Sequence, residues 1–190
     1  MEKLAPIYTN SDKTLWFIEP ALYCFKDLGA NCIFQQAANT VYILSGSVPR
    51  LSNNVSASCK GHTPKQVVNY LKRWNAIDVS TKGYPDIDDA LEDVSKGQPV
   101  LMVVSNDNPC WSQTDYLEGD AIVTKFSGNI LKKPSLGYHA YMIWGMDVGK
   151  GNVLLRESST SYGNNGYFQI PLSLIKSSPK SAAFFSFVLG

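Results

Sequence analysis

The sequence predicts an α+β fold, and three observations carry that reading. Segments with helical hydrophobic spacing crowd the first half of the 190-residue chain. Short β-branched and aromatic runs crowd the second half, and the change of character falls near Gly97. Helices and strands segregated in this way argue α+β in two lobes rather than alternating α/β units. The expected division is a helical lobe over 1–97, whose N-terminal segment is free to cross to the other side, and a β lobe over 98–190, together forming one domain.

Residues 1–27 hold scattered apolar clusters, Leu15-Trp16-Phe17-Ile18 and Ala21-Leu22-Tyr23-Cys24, broken by Pro6 and Pro20. They are expected to run as extended or irregular chain around the core. The first helix is expected over 32–45. Gly29 supplies a turn, Asn31 a cap, and Ile33, Phe34, Ala37, Val41 and Leu44 recur at helical spacing before Gly46 stops it. A Ser-, Asn- and Gly-rich loop follows over 46–62. Thr63-Pro64 then gives a cap and a proline at the first helical position, with Val67, Tyr70, Leu71 and Trp74 on one face. Asp86 caps a third helix carrying Ile87, Ala90, Leu91 and Val94, which Gly97 ends. Pro99-Val100-Leu101-Met102-Val103-Val104 reads as a buried strand, and further strands are expected over 121–126, 139–145, 152–157, 166–170 and 183–188.

A composition of 44% hydrophobic and 12% aromatic residues can fill a core. The net charge of +1, with both signs interspersed, offers no field for nucleic acid or an anionic membrane. No apolar run approaches the roughly 18 residues of a membrane helix, so no membrane insertion is expected. Met1-Glu2-Lys3-Leu4-Ala5-Pro6 lacks the apolar core of a signal peptide, which leaves a cytoplasmic protein or one exported as a trimmed mature domain or effector. Cys24, Cys32, Cys59 and Cys110 show no zinc-like spacing, and no metal or other cofactor is expected. Asn54-Val55-Ser56 is a glycosylation triplet of a kind common by chance.

The chemistry concentrates on Cys32. A cysteine at the first turn of a helix sits at the positive end of the helix dipole among open N–H groups, which favours the nucleophilic thiolate. The bland alternative is a small apolar residue filling space. A thiolate mechanism needs a base, and the base needs a third group to orient it. The chain has two histidines. His139 opens a predicted strand in Tyr138-His139-Ala140-Tyr141-Met142-Ile143-Trp144-Gly145, and Glu157 closes the next one, Arg156-Glu157-Ser158. A hairpin turning over Asp147–Gly151 brings 139 and 157 together. Cys110-Trp111 follows Pro109 in a polar loop with no helix behind it and is not taken as the nucleophile. His62 reads as a loop residue or a cleft wall, Trp74 and Trp144 as core, Asp147 as a turn former, and the acidic cluster over 86–93 as a solvated helix face.

Taken in order, these residues resemble the papain-like cysteine peptidases. The likeness runs from about Leu28 to Val188: Cys32 at a helix start, His139-Ala140 in a strand, a polar residue after an apolar strand, then Tyr162-Gly163-Asn164-Asn165-Gly166-Tyr167-Phe168-Gln169-Ile170 leading into another. Cys59-Lys60-Gly61-His62-Thr63-Pro64 resembles the family's segment before its second helix, and Gln98-Pro99-Val100 its Gln-Pro-Val strand. The resemblance implies a two-lobe fold, helical on the left and a β-sheet or barrel on the right, with a peptide-binding cleft between. It implies Cys32 as nucleophile, His139 as general base and acid, Glu157 as orienting residue, and Gly61 and His62 along the cleft. A protein or peptide substrate is the implied partner, and a proteinaceous inhibitor a second one. The implied reaction is peptide-bond hydrolysis by acyl transfer. Alternatives on the same site are a deamidase, a transglutaminase, an acyltransferase or an inactive peptide-binding relative.

The chain also departs from the family pattern. Ile33 stands where the family has tryptophan, and Lys26 where it has the glutamine that completes the oxyanion hole. Losing one such donor costs about 3–4 kcal/mol of transition-state stabilisation, so Lys26 or Asn31 is expected to replace it if turnover is to be fast. Gly29 stands where the family pairs a cysteine with the one at Cys59. Counting back from Tyr162 without a gap puts Arg156, not Glu157, at the orienting position, and a guanidinium cannot accept an imidazole proton. No inhibitory pro-segment precedes the domain, which suits a trimmed mature domain, a narrowly specific enzyme or an inactive relative.

Overall fold

The structure, a computed structural model, describes residues 3–19, 32–49, 63–105, 137–157 and 166–190, the side chain of Trp74 apart. Its strands are β1 (Ile7–Thr9), β2 (Leu15–Ile18), β3 (Val79–Tyr84), β4 (Val100–Ser105), β5 (Tyr138–Asp147), β6 (Asn152–Arg156), β7 (Tyr167–Pro171) and β8 (Ala182–Leu189). Its helices are α1 (Cys32–Ser45), α2 (Pro64–Asn75), α3 (Ile87–Ser95) and α4 (Leu172–Ser177). The class is α+β, an antiparallel sheet curled into a half-barrel with helices packed on it.

The sheet is organised on β5. One edge of β5 takes β4 along Tyr138–Ile143 and then β2 along Gly145–Asp147, while the other edge takes β6. The path continues from β4 to β8 and β3, and from β6 to β7. A bulge at Trp144 separates the two stretches of β5. There the backbones come so close that a Cβ on Gly145 would stand 2.3 Å from the Trp16 carbonyl oxygen. Only glycine fits that crossing.

Helix α1 lies on β5 and β8, with α2 against its side. Ile33, Phe34, Ala37, Val41 and Leu44 are all buried, as their spacing predicts. Phe34 meets Tyr70 of α2 edge-on, ring centres 4.9 Å apart. Helix α2 starts with a full capping box: Thr63 Oγ1 accepts from the Gln66 N–H, and Gln66 Oε1 accepts from the Thr63 N–H. Asp86 caps α3 by accepting from the N–H groups of Asp88 and Asp89, both in the exposed first turn. Further along, Asp93 leaves the solvated face to meet Lys82 and the Tyr84 hydroxyl, tying α3 to β3. Partial burial works against its charge, but those two partners outweigh it and hold the Asp93 carboxyl below the ordinary value.

The structure adds strands where the sequence suggested none. The N-terminal segment, expected as extended or irregular chain around the core, folds as a hairpin, β1 on β2, that extends the sheet from β5. Ala5 N–H then donates to the Gly97 carbonyl at 2.9 Å, anchoring the segment at the end of α3. Residues 79–84 form the edge strand β3 on β8. The sheet therefore draws three of its strands from before Gly97. Trp144, expected in the core, is half-buried in a row of rings: Tyr8 on Phe17, Phe17 on Trp144, Trp144 on Tyr167. The bulge turns its side chain away from the packed face. The strand expected over 121–126 lies outside the described residues. Among the described residues no helix is long and apolar enough to cross a membrane.

Candidate active site

Cys32 is the first residue of α1, half-buried and with a free thiol. The N–H groups of a first helical turn have no acceptor within the helix, and the first turn of α1 carries no acidic side chain to neutralise their field. His139 is the second residue of β5, paired with Val104 of β4. Glu157 immediately follows β6, and its N–H donates to the Gly166 carbonyl at 2.8 Å, which fixes the chain as β6 turns toward β7. The β5–β6 hairpin thus delivers both side chains to the sheet end nearest the start of α1.

Nε2 of His139 lies 2.7 Å from Glu157 Oε2 and 3.0 Å from Oε1, so the ring N–H is shared by both carboxylate oxygens. The Cys32 side chain acts on the same imidazole and is among the groups that raise its pKa. With Nε2 committed to the carboxylate, Nδ1 is the nitrogen left to meet the sulfur. Glu157 is 5% exposed and His139 25% exposed, so the carboxylate end of the line is dry and the imidazole borders solvent. Tyr141, two residues along the same face of β5, sets its ring against His139 at 4.5 Å and is itself held edge-on by Phe168.

Burial of His139 disfavours its charged form, but Glu157, which accepts from the ring, and Cys32 favour it and outweigh that penalty. The result is a His139 pKa raised from 6.5 to about 10. A histidine so held is an imidazolium at neutral pH, able to give a proton to one side while the carboxylate steadies it from the other.

The ambiguity between Arg156 and Glu157 resolves in geometry. Successive strand residues face opposite ways. Glu157 turns to His139, while the Arg156 guanidinium sits 4.2 Å over the Tyr167 ring. Lys26 and Asn31, expected at the oxyanion hole, and Gly61 and His62, expected along the cleft, lie outside the described residues, as do Cys24, Cys59 and Cys110. Among the described residues no group of three or more His, Cys, Asp or Glu side chains is placed to hold a metal ion.

Two residues at this site carried no expectation from the sequence. Tyr141 packs on the imidazole, and Gln36 of α1 reaches the main chain next to both His139 and Glu157. The available signal for Gln36 is its place on the buried side of α1, one turn after Cys32.

Comparison with solved structures places the fold. A cysteine protease of Carica candamarcensis, solved with E-64, superposes with a TM-score of 0.56 at 16% identity, over 87% of this chain and 93% of that one. The bromelain protease of Ananas comosus, also solved with E64, superposes with a TM-score of 0.58 at 17% identity, over 90% of this chain and 95% of that one. No family model and no curated protein sequence matches the chain. The fold is the papain-like two-lobe α+β fold, in a form divergent in sequence.

Proposed function

We propose that this protein is a cysteine-dependent peptide hydrolase in which Cys32 is the nucleophile, His139 the general acid and base, and Glu157 the residue that orients the imidazole. The observation that carries this reading is one imidazole held at 2.7 Å by the buried Glu157 carboxylate and acted on by the free Cys32 thiol, which helps raise its pKa. The effect of the thiol on the imidazole also argues for catalysis over a peptide-binding module, which needs no such coupling. The cysteine-protease neighbours, solved in complex with E-64, support a peptide as substrate.

In the proposed reaction, the Cys32 sulfur, its proton held on His139, attacks the carbonyl carbon of the scissile amide. Negative charge collects on the carbonyl oxygen, where the free N–H of Cys32 and the helix dipole stabilise it. A second donor, from Lys26, Asn31 or another group, would complete the hole in this reading. His139 then protonates the leaving amine as the C–N bond breaks, giving a thioester on Cys32. The neutral imidazole takes a proton from water, hydroxide attacks the thioester carbon, and the acid leaves as the thiol recovers its starting state. Glu157 keeps Nε2–H engaged throughout, so that Nδ1 does the proton transfers.

The test is hydrolysis of a fluorogenic peptide panel by the intact chain, with alkylation of the thiol followed in parallel. Turnover blocked by E-64 and lost in Cys32→Ala and His139→Ala, both still folded by circular dichroism, is the expected result. If Cys32 alkylates no faster than free cysteine and no peptide is cleaved, the reading is wrong and a binding module takes its place.

A further inference from the structure

Gln36 lies one turn along α1 from Cys32, on the same side of the helix, and is fully buried. Its Nε2 donates to the Arg156 carbonyl at 3.0 Å and to the Ala140 carbonyl at 3.5 Å. Arg156 is the residue before Glu157, and Ala140 the residue after His139. One amide therefore touches the main chain beside two members of the line from the helix that carries the third. The place is also where the sheet stops holding itself together. The β5–β6 register ends at Met142 opposite Arg156, and the next N–H, that of Glu157, goes to Gly166. Beyond that rung, among the described residues, Gln36 links the two strands.

Resting on the proposed triad, we infer that Gln36 is a positioning residue: by donating to the carbonyls of Ala140 and Arg156 it sets the distance between Cys32 on α1 and the His139–Glu157 pair. The side chain has the right chemistry. Main-chain carbonyls need donors, the glutamine amide offers two N–H groups, and Gln36 Oε1 makes no hydrogen bond. An apolar residue of the same size fills the space without supplying the link.

The fold provides its own control. Gln98, likewise buried, donates through Nε2 to the carbonyls of Pro99 and Phe187, at the opposite end of β4 from the residue paired with His139. Gln36→Met and Gln98→Met therefore remove equivalent buried links, one at the site and one away from it. We expect Gln36→Met to lower kcat about 10- to 100-fold with little change in KM, the size of effect that follows sub-ångström to ångström misplacement of reacting groups. We also expect the His139 titration, read from its ring resonances by NMR, to move from about 10 toward 6.5. Gln98→Met should keep both values while losing comparable stability. Gln36→Asn, which keeps the amide but draws it back by one methylene, serves if the methionine variant does not fold. If the Gln36 variants keep the wild-type His139 titration, or if Gln98→Met moves it equally, Gln36 is structural only and the inference falls. The NMR arm needs no substrate, so a wild-type protein that cleaves no peptide would sink the proposed function while this comparison still decides the role of Gln36.

Discussion

Glu157 Oε2 stands 2.7 Å from His139 Nε2, and the carboxylate is more deeply buried than the imidazole, 5% against 25% exposed. A buried carboxylate facing a single ring N–H is a strong orienting group, because moving the ring would leave the charge unpaired. Glu157→Gln keeps an oxygen able to accept that N–H but removes the charge, so activity should fall by about tenfold. Glu157→Ala leaves the ring without a partner and should cost about 10²- to 10³-fold. The pH profile separates the two effects. Because the Glu157 charge helps raise His139 to about 10, the basic limb of kcat/KM should move toward neutral pH in Glu157→Gln. A limb that stays in place would mean that Glu157 does not act through His139.

The same raised pKa makes folding depend on pH in a definite direction. His139 binds its proton more tightly folded, at about 10, than unfolded, at 6.5. Its contribution to stability is therefore complete below about 6.5 and drains away as pH climbs through about 10. The slope from this one group cannot exceed about 1.4 kcal/mol per pH unit. Urea midpoints measured between pH 6 and pH 10 should fall more steeply for the wild type than for His139→Asn. Parallel curves would remove the interaction on which the site is built.

The elements that are legible in the sequence are those specified locally. Asp86 and Thr63 announce α3 and α2 because a cap acts within one turn, and Gly46 and Gly97 end their helices through left-handed backbone, φ +70° and +98°. β3 is different. Ser80, Thr81, Lys82 and Gly83 are all exposed between buried Val79 and Tyr84, so no alternation marks the strand, and its pairing with β8 comes from residues a hundred positions away. β2 escapes notice for the same reason, since it joins the sheet through distant β5, and β1 joins only through β2. At the site, residue type and order point to Cys32, His139 and Glu157, yet counting back from Tyr162 without a gap points to Arg156. The hydrogen bond of Glu157 to His139 and the seat of Arg156 over Tyr167 show which of the two faces the imidazole. For Gln36 the sequence offers only its place on the buried side of α1, because its role depends on two carbonyls, which every residue has.

Gly145 tests the crossing of β2 and β5. In Gly145→Ala the new Cβ would meet the Trp16 carbonyl at 2.3 Å and the Phe17 main chain at 2.7 Å, none of it able to swing aside as a flexible side chain can. We expect a loss of about 3 kcal/mol or more and release of the N-terminal hairpin, seen as early amide exchange in residues 7–9 and 15–18. Gly83→Ala is the counterpart, with nothing within 4 Å of the added Cβ. It should be neutral or stabilise by a few tenths of a kcal/mol, since the strand gains a side chain at no steric cost.

The cap of α3 bears on the sheet through Asp93. Asp86 accepts from the Asp88 and Asp89 N–H groups at 2.9 Å and 3.0 Å, satisfying two donors that would otherwise face only water. Asp86→Ala should cost about 1 kcal/mol, whereas Asp86→Asn, which still accepts, should cost less than half of that. Because Asp93 on the last turns of α3 holds Lys82 and Tyr84 of β3, fraying that reaches along the helix should loosen that edge. Amide protection in β3 should drop in Asp86→Ala and hold in Asp86→Asn. Unchanged protection in both would show that α3 unfolds without carrying the edge strand with it, and that Asp93 is a local bond and not a coupling between helix and sheet.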